Sequence, residues 1–313
     1  MQMDLYNNQV IEAKPFLKWV GGKRQLIPII EENLPNNIKK TRSIKNYFEP
    51  FIGGGALFFH LKSFYSIKNS YISDINTELI LTYNVIKKDH KSLIKILEEN
   101  EKNYLKLDPT ERKEYYLNIR HDYNEKVKDF DYTVYDQESI IRASQIIFMN
   151  KTCFNGLFRV NKKGEFNVPH GRYTNPTICN EENITNVHNI LKDVNIQNTS
   201  YLTSEKYIDE NSFVYLDPPY RPLNKTSSFT SYSNNGFDDD NQIELSDYYK
   251  RISDKGAYAM LSNSDPHNVD ETDNFFDELY NQFNIQRINA NRSINSNAEK
   301  RGPINELLIT NYR

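Results

Sequence analysis

The chain has 313 residues, of which 26% are charged and 38% hydrophobic, the composition of a globular protein with one large domain or two smaller ones. Its net charge is −3, it has no window of about 18 apolar residues, and its start, MQMDLYNNQVIEAK, has no basic segment before an apolar core, so we expect no membrane partner and no secretory signal. Cys153 and Cys179 form no CxxC pair and the six histidines show no metal-ligand spacing, which argues against a disulfide scaffold or a metal site and favours a cytoplasmic protein.

Three units of turn or strand followed by helix open the chain. In KWVGGKRQLIPIIEENL a Gly-Gly turn precedes a helix, with apolar residues at helical spacing from Leu26 to Leu34. NYFEPFIGGGALFFHL is typical of a strand, a glycine loop and a helix, and SYISDINTELILTYNVI of a strand, an acid and a helix. Strands that alternate with helices predict a mainly parallel α/β sheet.

The middle of the chain differs in composition and in predicted secondary structure. Charged, tyrosine-rich helices are predicted over residues 92–104, 111–123 and 138–148, followed by the turn-rich segment KTCFNGLFRVNKKGEFNVPHGRY. We interpret residues 85–176 as an inserted, mainly helical subdomain with a β-hairpin, and residues 1–84 and 177–313 as one discontinuous α/β domain. After residue 177 we predict helices over 184–191 and 240–252 and strands over 196–202, 213–216, 257–262 and 306–310.

Two segments are locally basic although the chain as a whole is not. Residues 151–172 carry five cations against the single acid Glu165, and residues 14–24 carry cations and no acid. Such stripes favour attraction of a polyanion to one face, while an ordinary solvated surface is the alternative.

The glycine loop EPFIGGG suits close approach of backbone to a ligand. Phe58 stands where a nicotinamide fingerprint needs its third glycine, and no Gly-Lys-Ser/Thr follows as in a P-loop. Asp74 comes about twenty residues later, at the spacing of an acid that accepts hydrogen bonds from ribose hydroxyls. A tight turn alone explains the glycines equally well, but loop and acid together indicate a nucleoside cofactor.

The segment FVYLDPPYRPL places Asp217 directly after a short apolar run. Two prolines then end the strand, since neither has an N–H and each fixes its own φ. The pattern predicts a buried strand that presents a carboxylate, two rigid residues and the ring of Tyr220 at its exit.

Together these segments resemble the Dam-like DNA adenine-N6 methyltransferases of the alpha group. KWVGGK and FEPFIGGGALF resemble the S-adenosylmethionine motifs of that family, ISDIN its ribose-binding acid, NGLFRVNKKGEFNVPHGRY its DNA-recognition hairpin and DPPY its catalytic motif, and RSINSN is similar too. The resemblance runs in motif order from Lys14 to Tyr312. It implies a Rossmann-like sheet, S-adenosyl-L-methionine as cofactor, double-stranded DNA as partner and no metal.

The family implies that adenine N6, a poor nucleophile, is activated by hydrogen-bond acceptors. The Asp217 carboxylate and the Pro218 carbonyl would accept from the amino group, and Tyr220 would stack on a base flipped out of the duplex. The implied catalytic residues are Asp217, Pro218, Pro219 and Tyr220.

Binding residues follow from the same resemblance. Phe154 stands where well-known Dam enzymes carry a tyrosine that wedges into the duplex, Lys18 matches a lysine that reads a base outside the hairpin, and Arg159 is the candidate for bidentate guanine readout. The cofactor positions, in which Lys23 would pair with the methionine carboxylate, are Trp19, Lys23, Glu49, Pro50, Phe51, Gly53, Gly55, Asp74 and Asp217. The DNA positions are Lys18, Phe154, Asn155, Leu157, Arg159, Lys162, Pro169, Arg172 and Tyr173.

The resemblance implies an adenine as the target base, and the hairpin most resembles those of enzymes that methylate GATC. We expect a monomer. Alternatives are cytosine N4, an RNA or a protein glutamine as substrate, or a catalytically silent DNA-binding regulator. The enzyme could belong to a restriction-modification system, act alone or come from a phage. We interpret residues 227–237 as a lid over the flipped base, or else a flexible loop, and residues 292–301 as a DNA-facing loop.

Overall fold

The computed structural model describes residues 11–221, 237–290 and 304–313. Its strands form a seven-stranded sheet in the order β3-β2-β1-β4-β5-β7-β6. β1 pairs in parallel with β2 and β4, and β4 with β5, whereas β7 is antiparallel to both β5 and β6. This mostly parallel sheet confirms the predicted Rossmann-like α/β class. The strands are β1 (Ser43–Glu49), β2 (Ser66–Asp74), β3 (Val194–Asn198), β4 (Ser212–Leu216), β5 (Tyr258–Ser264), β6 (Asn284–Ala290) and β7 (Ile304–Thr310).

The chain packs as two compact units that each draw on separate stretches of sequence. The first consists of Met1–Gly22, Gly53–Ser63 and Asp74–Asn198, and the second of Lys23–Ile52, Phe64–Ser73 and Thr199–Arg313. These units describe packing. The functional division at residues 84 and 176 stays a prediction.

The first unit is mainly helical. Its long helix α4 is capped by Asn76, whose side chain accepts from the Leu79 N–H, and it bends at Asp89, where the backbone leaves helical geometry. Capping boxes begin α5 and α6, with Asp108 and Asp136 as their N-cap residues. The helices of this unit are α3 (Ala56–Phe64), α4 (Thr77–Leu105), α5 (Pro109–Glu125), α6 (Gln137–Thr152) and α7 (Glu181–Leu191).

The second unit is built around β4, in which all five residues are buried. Leu245, Tyr248 and Ile252 recur at helical spacing on α8 and pack into the same apolar cluster as Val214 and Leu216 of β4. The C-terminal end of β4, directly before Asp217, is therefore fixed by close packing in this cluster. The helices of this unit are α1 (Ile27–Glu32), α2 (Asn36–Thr41), α8 (Asp239–Asp254) and α9 (Phe275–Leu279).

Several elements differ from the sequence-based predictions, and the short helices α2 and α9 were not predicted. The strand predicted over 196–202 ends at Asn198, because Ser200 caps the 3-10 helix Tyr201–Tyr207 that follows. The helix predicted over 92–104 is the second part of α4, which already begins at Thr77. β6, NIQRINA, was not predicted: it lies at the edge of the sheet, where a strand needs few apolar residues. No helix in the described ranges has the length and apolar character needed to cross a membrane.

Candidate active site and recognition surface

The acid of the DPPY segment follows directly from β4, which lies between the parallel strands β1 and β5. Asp217 Oδ1 lies 2.8 Å from Nζ of Lys23, and the two side chains are 19% and 6% exposed. Lys23 begins the short 3-10 helix Lys23–Gln25 that follows the Gly-Gly turn. A short ion pair that is largely closed to water therefore holds the carboxylate in one direction.

The pKa of Asp217 is raised to about 6. Burial is the main cause, Lys23 opposes it by its charge and hydrogen bond, and the charge of Glu306 adds a smaller increase. Asp217 is therefore ionised at neutral pH. Because an ionised carboxylate offers about four lone-pair positions, it can accept further hydrogen bonds while it is paired with Lys23.

Tyr220 is held at its ring and at its hydroxyl. The ring centroid lies 4.4 Å from Nζ of Lys23, and the hydroxyl donates to Oε2 of Glu306 at 2.5 Å. Glu306 lies on β7 and is 9% exposed. Sequence reasoning missed Glu306, although a carboxylate inside the apolar strand INELLIT was a usable signal.

A chain of buried amides supports the prolines of the motif. Gln242 Nε2 donates to the Pro219 carbonyl at 3.1 Å, and Asn263 Nδ2 donates to Gln242 Oε1 at 3.1 Å. Both side chains are completely buried. Because buried amides left without partners are costly, this network fixes the backbone that follows Asp217. Gln242 and Asn263 lie far from DPPY in the sequence, and no local pattern identified them.

The predicted cofactor residues at the end of β1 are mostly buried. Glu49 is 3% exposed and accepts a hydrogen bond from the Tyr47 hydroxyl at 2.5 Å. Pro50 is buried, and Phe51 stacks on Tyr201 with ring centroids 5.2 Å apart. This part of the chain therefore has a rigid apolar support on one side.

The glycine loop and its acid lie together in the first unit. Asp74 Oδ2 accepts from the Gly53 N–H at 3.1 Å, and its Oδ1 accepts from the Asn76 N–H at 2.9 Å. The pKa of Asp74 is raised by burial, and these N–H groups act in the opposite direction. Each oxygen keeps a lone pair for another donor.

Two of the glycines are required by conformation and by space. Gly53 and Gly55 have φ of +46° and +70°. A Cβ at Gly53 would lie 2.9 Å from Trp19 Cδ1, and one at Gly55 would lie 2.6 Å from the Tyr83 hydroxyl. The sequence placed these glycines correctly, but the tertiary neighbours that exclude a side chain could not be read from it.

Trp19 links the loop to the recognition segment within the first unit. Its ring stacks on Phe158, with centroids 5.4 Å apart and planes inclined by 25°, and it also packs against Gly53. Part of Trp19 remains exposed.

The recognition segment reverses direction as predicted, but its strands pair only at isolated bridges. Val160 bridges Phe166 and Cys153 bridges His170, both antiparallel. Arg159 is exposed, and its Nε donates to Asn167 Oδ1 at 2.7 Å, across the hairpin. Its Nη2 also donates to the Asn167 carbonyl, at 3.3 Å. The two contacts hold the guanidinium, which has five N–H donors and can donate further from Nη1.

The remaining predicted DNA positions belong to the first unit, where they fall at Lys18 and between residues 154 and 173. Phe154 is 53% exposed. Lys18 Nζ lies 4.8 Å from the centroid of the Tyr173 ring, so residues from two distant segments meet here. Asn155, Lys162, Pro169 and Arg172 are exposed, and Leu157 and Tyr173 are partly buried. The predicted lid (227–237) falls, except for Phe237, outside the described residues, as does the predicted loop over 292–301.

The described residues contain no group of three or more His, Cys, Asp or Glu side chains that could hold a metal ion. The chain is an α/β protein with a glycine loop after β1, an acid after β2 and a carboxylate held by Lys23 after β4. Comparison with known proteins identifies the enzyme class. The model of the D12 class N6 adenine-specific DNA methyltransferase family matches residues 19–294, and the chain belongs to that family.

Curated relatives are similar in sequence to this chain along almost its full length. The type II methyltransferase M.MjaIII of Methanocaldococcus jannaschii is 50% identical over 303 residues, which cover 96% of this chain and all of the relative. The type II methyltransferase M1.LlaDCHI of Lactococcus lactis subsp. cremoris is 38% identical, over 99% of both chains. The DNA adenine methylase of Escherichia coli K12 is 30% identical, over 94% of both chains. The predicted family and enzyme class are confirmed.

Proposed function

We propose that this protein transfers the methyl group of S-adenosyl-L-methionine to N6 of an adenine flipped out of double-stranded DNA. The observation that carries the proposal is the carboxylate of Asp217, ionised at neutral pH and held by Lys23 at the exit of a buried strand. A fixed anion at this point suits a reaction in which positive charge develops on an amino nitrogen.

The residues of the glycine loop suit the cofactor. S-adenosyl-L-methionine supplies an electrophilic methyl group on a sulfonium. Asp74 is already oriented by two backbone N–H groups and keeps a lone pair on each oxygen for ribose hydroxyls. Gly53 and Gly55 pack against Trp19 and Tyr83 with no room for a side chain, which fixes the backbone of the loop. Trp19, Lys23, Glu49, Pro50, Phe51, Gly53, Gly55, Asp74 and Asp217 are the proposed cofactor residues.

The catalytic step depends on hydrogen-bond acceptors for the amino group of the target base. Asp217 and the Pro218 carbonyl accept hydrogen bonds from the adenine amino group, which draws its lone pair out of conjugation and aims it at the methyl carbon. The amide chain from Asn263 through Gln242 to Pro219 keeps this backbone from relaxing. Tyr220, held by Lys23 and Glu306, presents its ring for stacking on the base, a contact worth about 1–3 kcal/mol in nucleic-acid binding.

We assign DNA recognition to residues 85–176 together with Lys18, and catalysis to residues 1–84 and 177–313. Phe154, exposed at the tip of a turn, is the proposed wedge, and Arg159 the proposed reader of guanine. Lys162 and Arg172 hold phosphates, since both are exposed cations. The resemblance of the recognition residues to the hairpins of enzymes that methylate the adenine of GATC supports GATC as the target site, and we propose that one protein molecule acts on each site.

The decisive test is nucleoside mass spectrometry. The protein is incubated with unmethylated double-stranded DNA and methyl-labelled S-adenosyl-L-methionine, and the DNA is digested to nucleosides. Labelled 6-methyladenine supports the proposal. Labelled 4-methylcytosine would change the base, and no label with normal cofactor binding would favour a silent DNA-binding regulator.

Two variants make the test specific. Asp217→Asn keeps the shape of the side chain and removes its charge, so it should lose the label. Asp254→Asn removes an exposed carboxylate at the end of α8 and should retain it. Sequencing of the methylated positions then tests GATC separately, because methylation at another site would refute the target without touching the reaction.

A further inference from the structure

A buried side chain that no motif singled out connects the DNA-reading residues of the first unit. Asn150 lies near the end of α6 and is 1% exposed. Its Oδ1 accepts from the Lys18 N–H at 2.8 Å, and its Nδ2 donates to the Lys18 carbonyl at 2.9 Å. The same Nδ2 donates to the Gly156 carbonyl, also at 2.9 Å. Both amide hydrogens and the oxygen are therefore engaged.

This pattern joins two parts of the chain that are 138 residues apart, since 156 − 18 = 138. Lys18 is held at both its backbone N–H and its carbonyl, as a neighbouring strand would hold it. Gly156 belongs to the turn that presents Phe154. One side-chain amide thereby sets the position of Lys18 relative to that turn.

The fit at this point is close. Gly156 has φ of +64°, and a Cβ there would lie 2.3 Å from Lys18 Cδ. Asn155, the residue before it, also has a positive φ of +56°. A positive φ is uncommon for a residue other than glycine, so the turn at Asn155 depends on its surroundings, and Asn150 holds the next residue by a hydrogen bond.

The side chain of Lys18 is also held in position. Its Nζ lies over the Tyr173 ring, and the turn is tied to the far side of the hairpin by the hydrogen bonds Phe154 N–H to Pro169 O (2.9 Å) and Gly171 N–H to Thr152 O (2.8 Å). Asn150 itself is too deeply buried to contact DNA. Its effect on DNA must therefore pass through Lys18 and the turn.

We propose that Asn150 is a positioning residue for sequence recognition, which keeps Lys18 in register with the 154–156 turn. The proposal rests on the proposed function. It places the specificity of one base-pair contact under the control of a side chain that does not touch DNA. A shift of the Lys18 backbone by a fraction of a hydrogen-bond length would weaken a base contact, whose geometry is strict, more than a phosphate contact.

The experiment measures single-turnover methylation on the mapped recognition duplex and on duplexes that each carry one changed base pair. Lys18→Met identifies the base pair that Lys18 reads. Asn150→Leu, similar in size but unable to form the three hydrogen bonds, should lower discrimination at that same base pair by about tenfold and leave the other base pairs within about twofold. In the double variant, discrimination should be no lower than in Lys18→Met alone.

Ser144→Ala is the matched control. Ser144 is on the same helix and is 1% exposed, and its hydroxyl donates to the Ile141 carbonyl of that helix, so its loss should leave discrimination unchanged. If Asn150→Leu does not fold, Asn150→Asp serves instead, because it keeps an acceptor for the Lys18 N–H and loses both donors. S-adenosyl-L-methionine affinity, measured by calorimetry, should be unchanged in every folded variant.

Three results would overturn the proposal. One is an unchanged base-pair profile in folded Asn150→Leu or Asn150→Asp while Lys18→Met relaxes one base pair. Another is an equal loss at all base pairs that follows thermal stability, which would indicate a purely structural role. The third is a Lys18→Met variant with normal specificity, which would remove the contact that Asn150 positions. A wild-type protein that methylates no DNA would instead show that the proposed function had failed.

Discussion

Lys23 makes two contacts with the DPPY segment, an ion pair with Asp217 and a cation–π contact with Tyr220. The first places the carboxylate, and the second places the ring proposed to stack on the base. A single buried cation thus orients the acceptor and the stacking platform together. The DPPY segment is therefore part of a cluster that also includes Lys23 and Glu306.

We expect Asp217→Ala to abolish methyl transfer and to leave DNA binding within about threefold of wild type, since its proposed contact is confined to one amino group of the flipped base and phosphate contacts carry much of DNA affinity. Single-turnover rates and fluorescence anisotropy with the same duplex measure the two properties. Glu210→Ala, at an exposed acid near the start of β4, is the control. A variant that loses DNA binding but keeps its transfer rate would refute the assigned role.

The transfer rate should depend on pH through Asp217. Since the pKa of Asp217 is about 6, the single-turnover rate should fall about tenfold per pH unit below that value, because the protonated acid no longer accepts from the amino group. Lys23 lowers this pKa, so Lys23→Gln should move the inflection to higher pH. Arg24→Gln, at the exposed neighbouring cation, should leave it in place. An inflection near pH 4 in wild type would contradict the burial effect.

The free energy of unfolding should also depend on pH through Asp217, and the direction of that dependence follows from the raised pKa. The folded pKa of about 6 lies above that of an unfolded aspartate, about 4, so between these values the unfolded chain has released the proton and the folded protein has kept it. The contribution of Asp217 to the free energy of unfolding is complete below pH 4 and is lost as pH rises to 6. Urea titrations of wild type and Asp217→Asn should show their difference changing in this window. A difference that is constant from pH 4 to 6 would disprove the shift.

Gly55→Ala should weaken cofactor binding by at least tenfold. The added Cβ would meet the Tyr83 hydroxyl at 2.6 Å, and φ of +70° is strained for alanine. Calorimetry with S-adenosyl-L-methionine measures the effect. Gly256→Ala is matched to it, because Gly256 also has a positive φ (+83°) and a close neighbour, Glu210, but it lies in the turn between α8 and β5. Gly256→Ala should lower the melting temperature and retain cofactor affinity; equal losses of affinity in both variants would argue against a cofactor role for the loop.

Arg159→Ala should cost about 1–3 kcal/mol at one guanine and relax specificity there. The comparison is Lys162→Ala, which removes an exposed cation of the same hairpin and should weaken binding to all sequences while reducing the salt slope by about one. Binding titrations against single-base variants at two salt concentrations separate the effects. An unchanged base preference in Arg159→Ala would exclude Arg159 from base readout.

The sequence by itself determined the class of fold, the motif order and the enzyme family. Glycine, proline and alternating strand and helix patterns act locally, so the loop after β1, the acid after β2 and the end of β4 at Asp217 were all predictable. Local patterns were weaker where polar residues form an edge strand, as in β6, or where a capped 3-10 helix replaces strand residues, as after Asn198.

Only the tertiary structure decided which side chains support the site. Glu306 reaches Tyr220 from β7, Gln242 and Asn263 support Pro219 from α8 and β5, and Asn150 joins Lys18 to the 154–156 turn. Each is a buried polar group whose partner lies far away in the chain. A buried hydrogen bond depends on distance and direction in space, and sequence spacing specifies neither for residues so far apart.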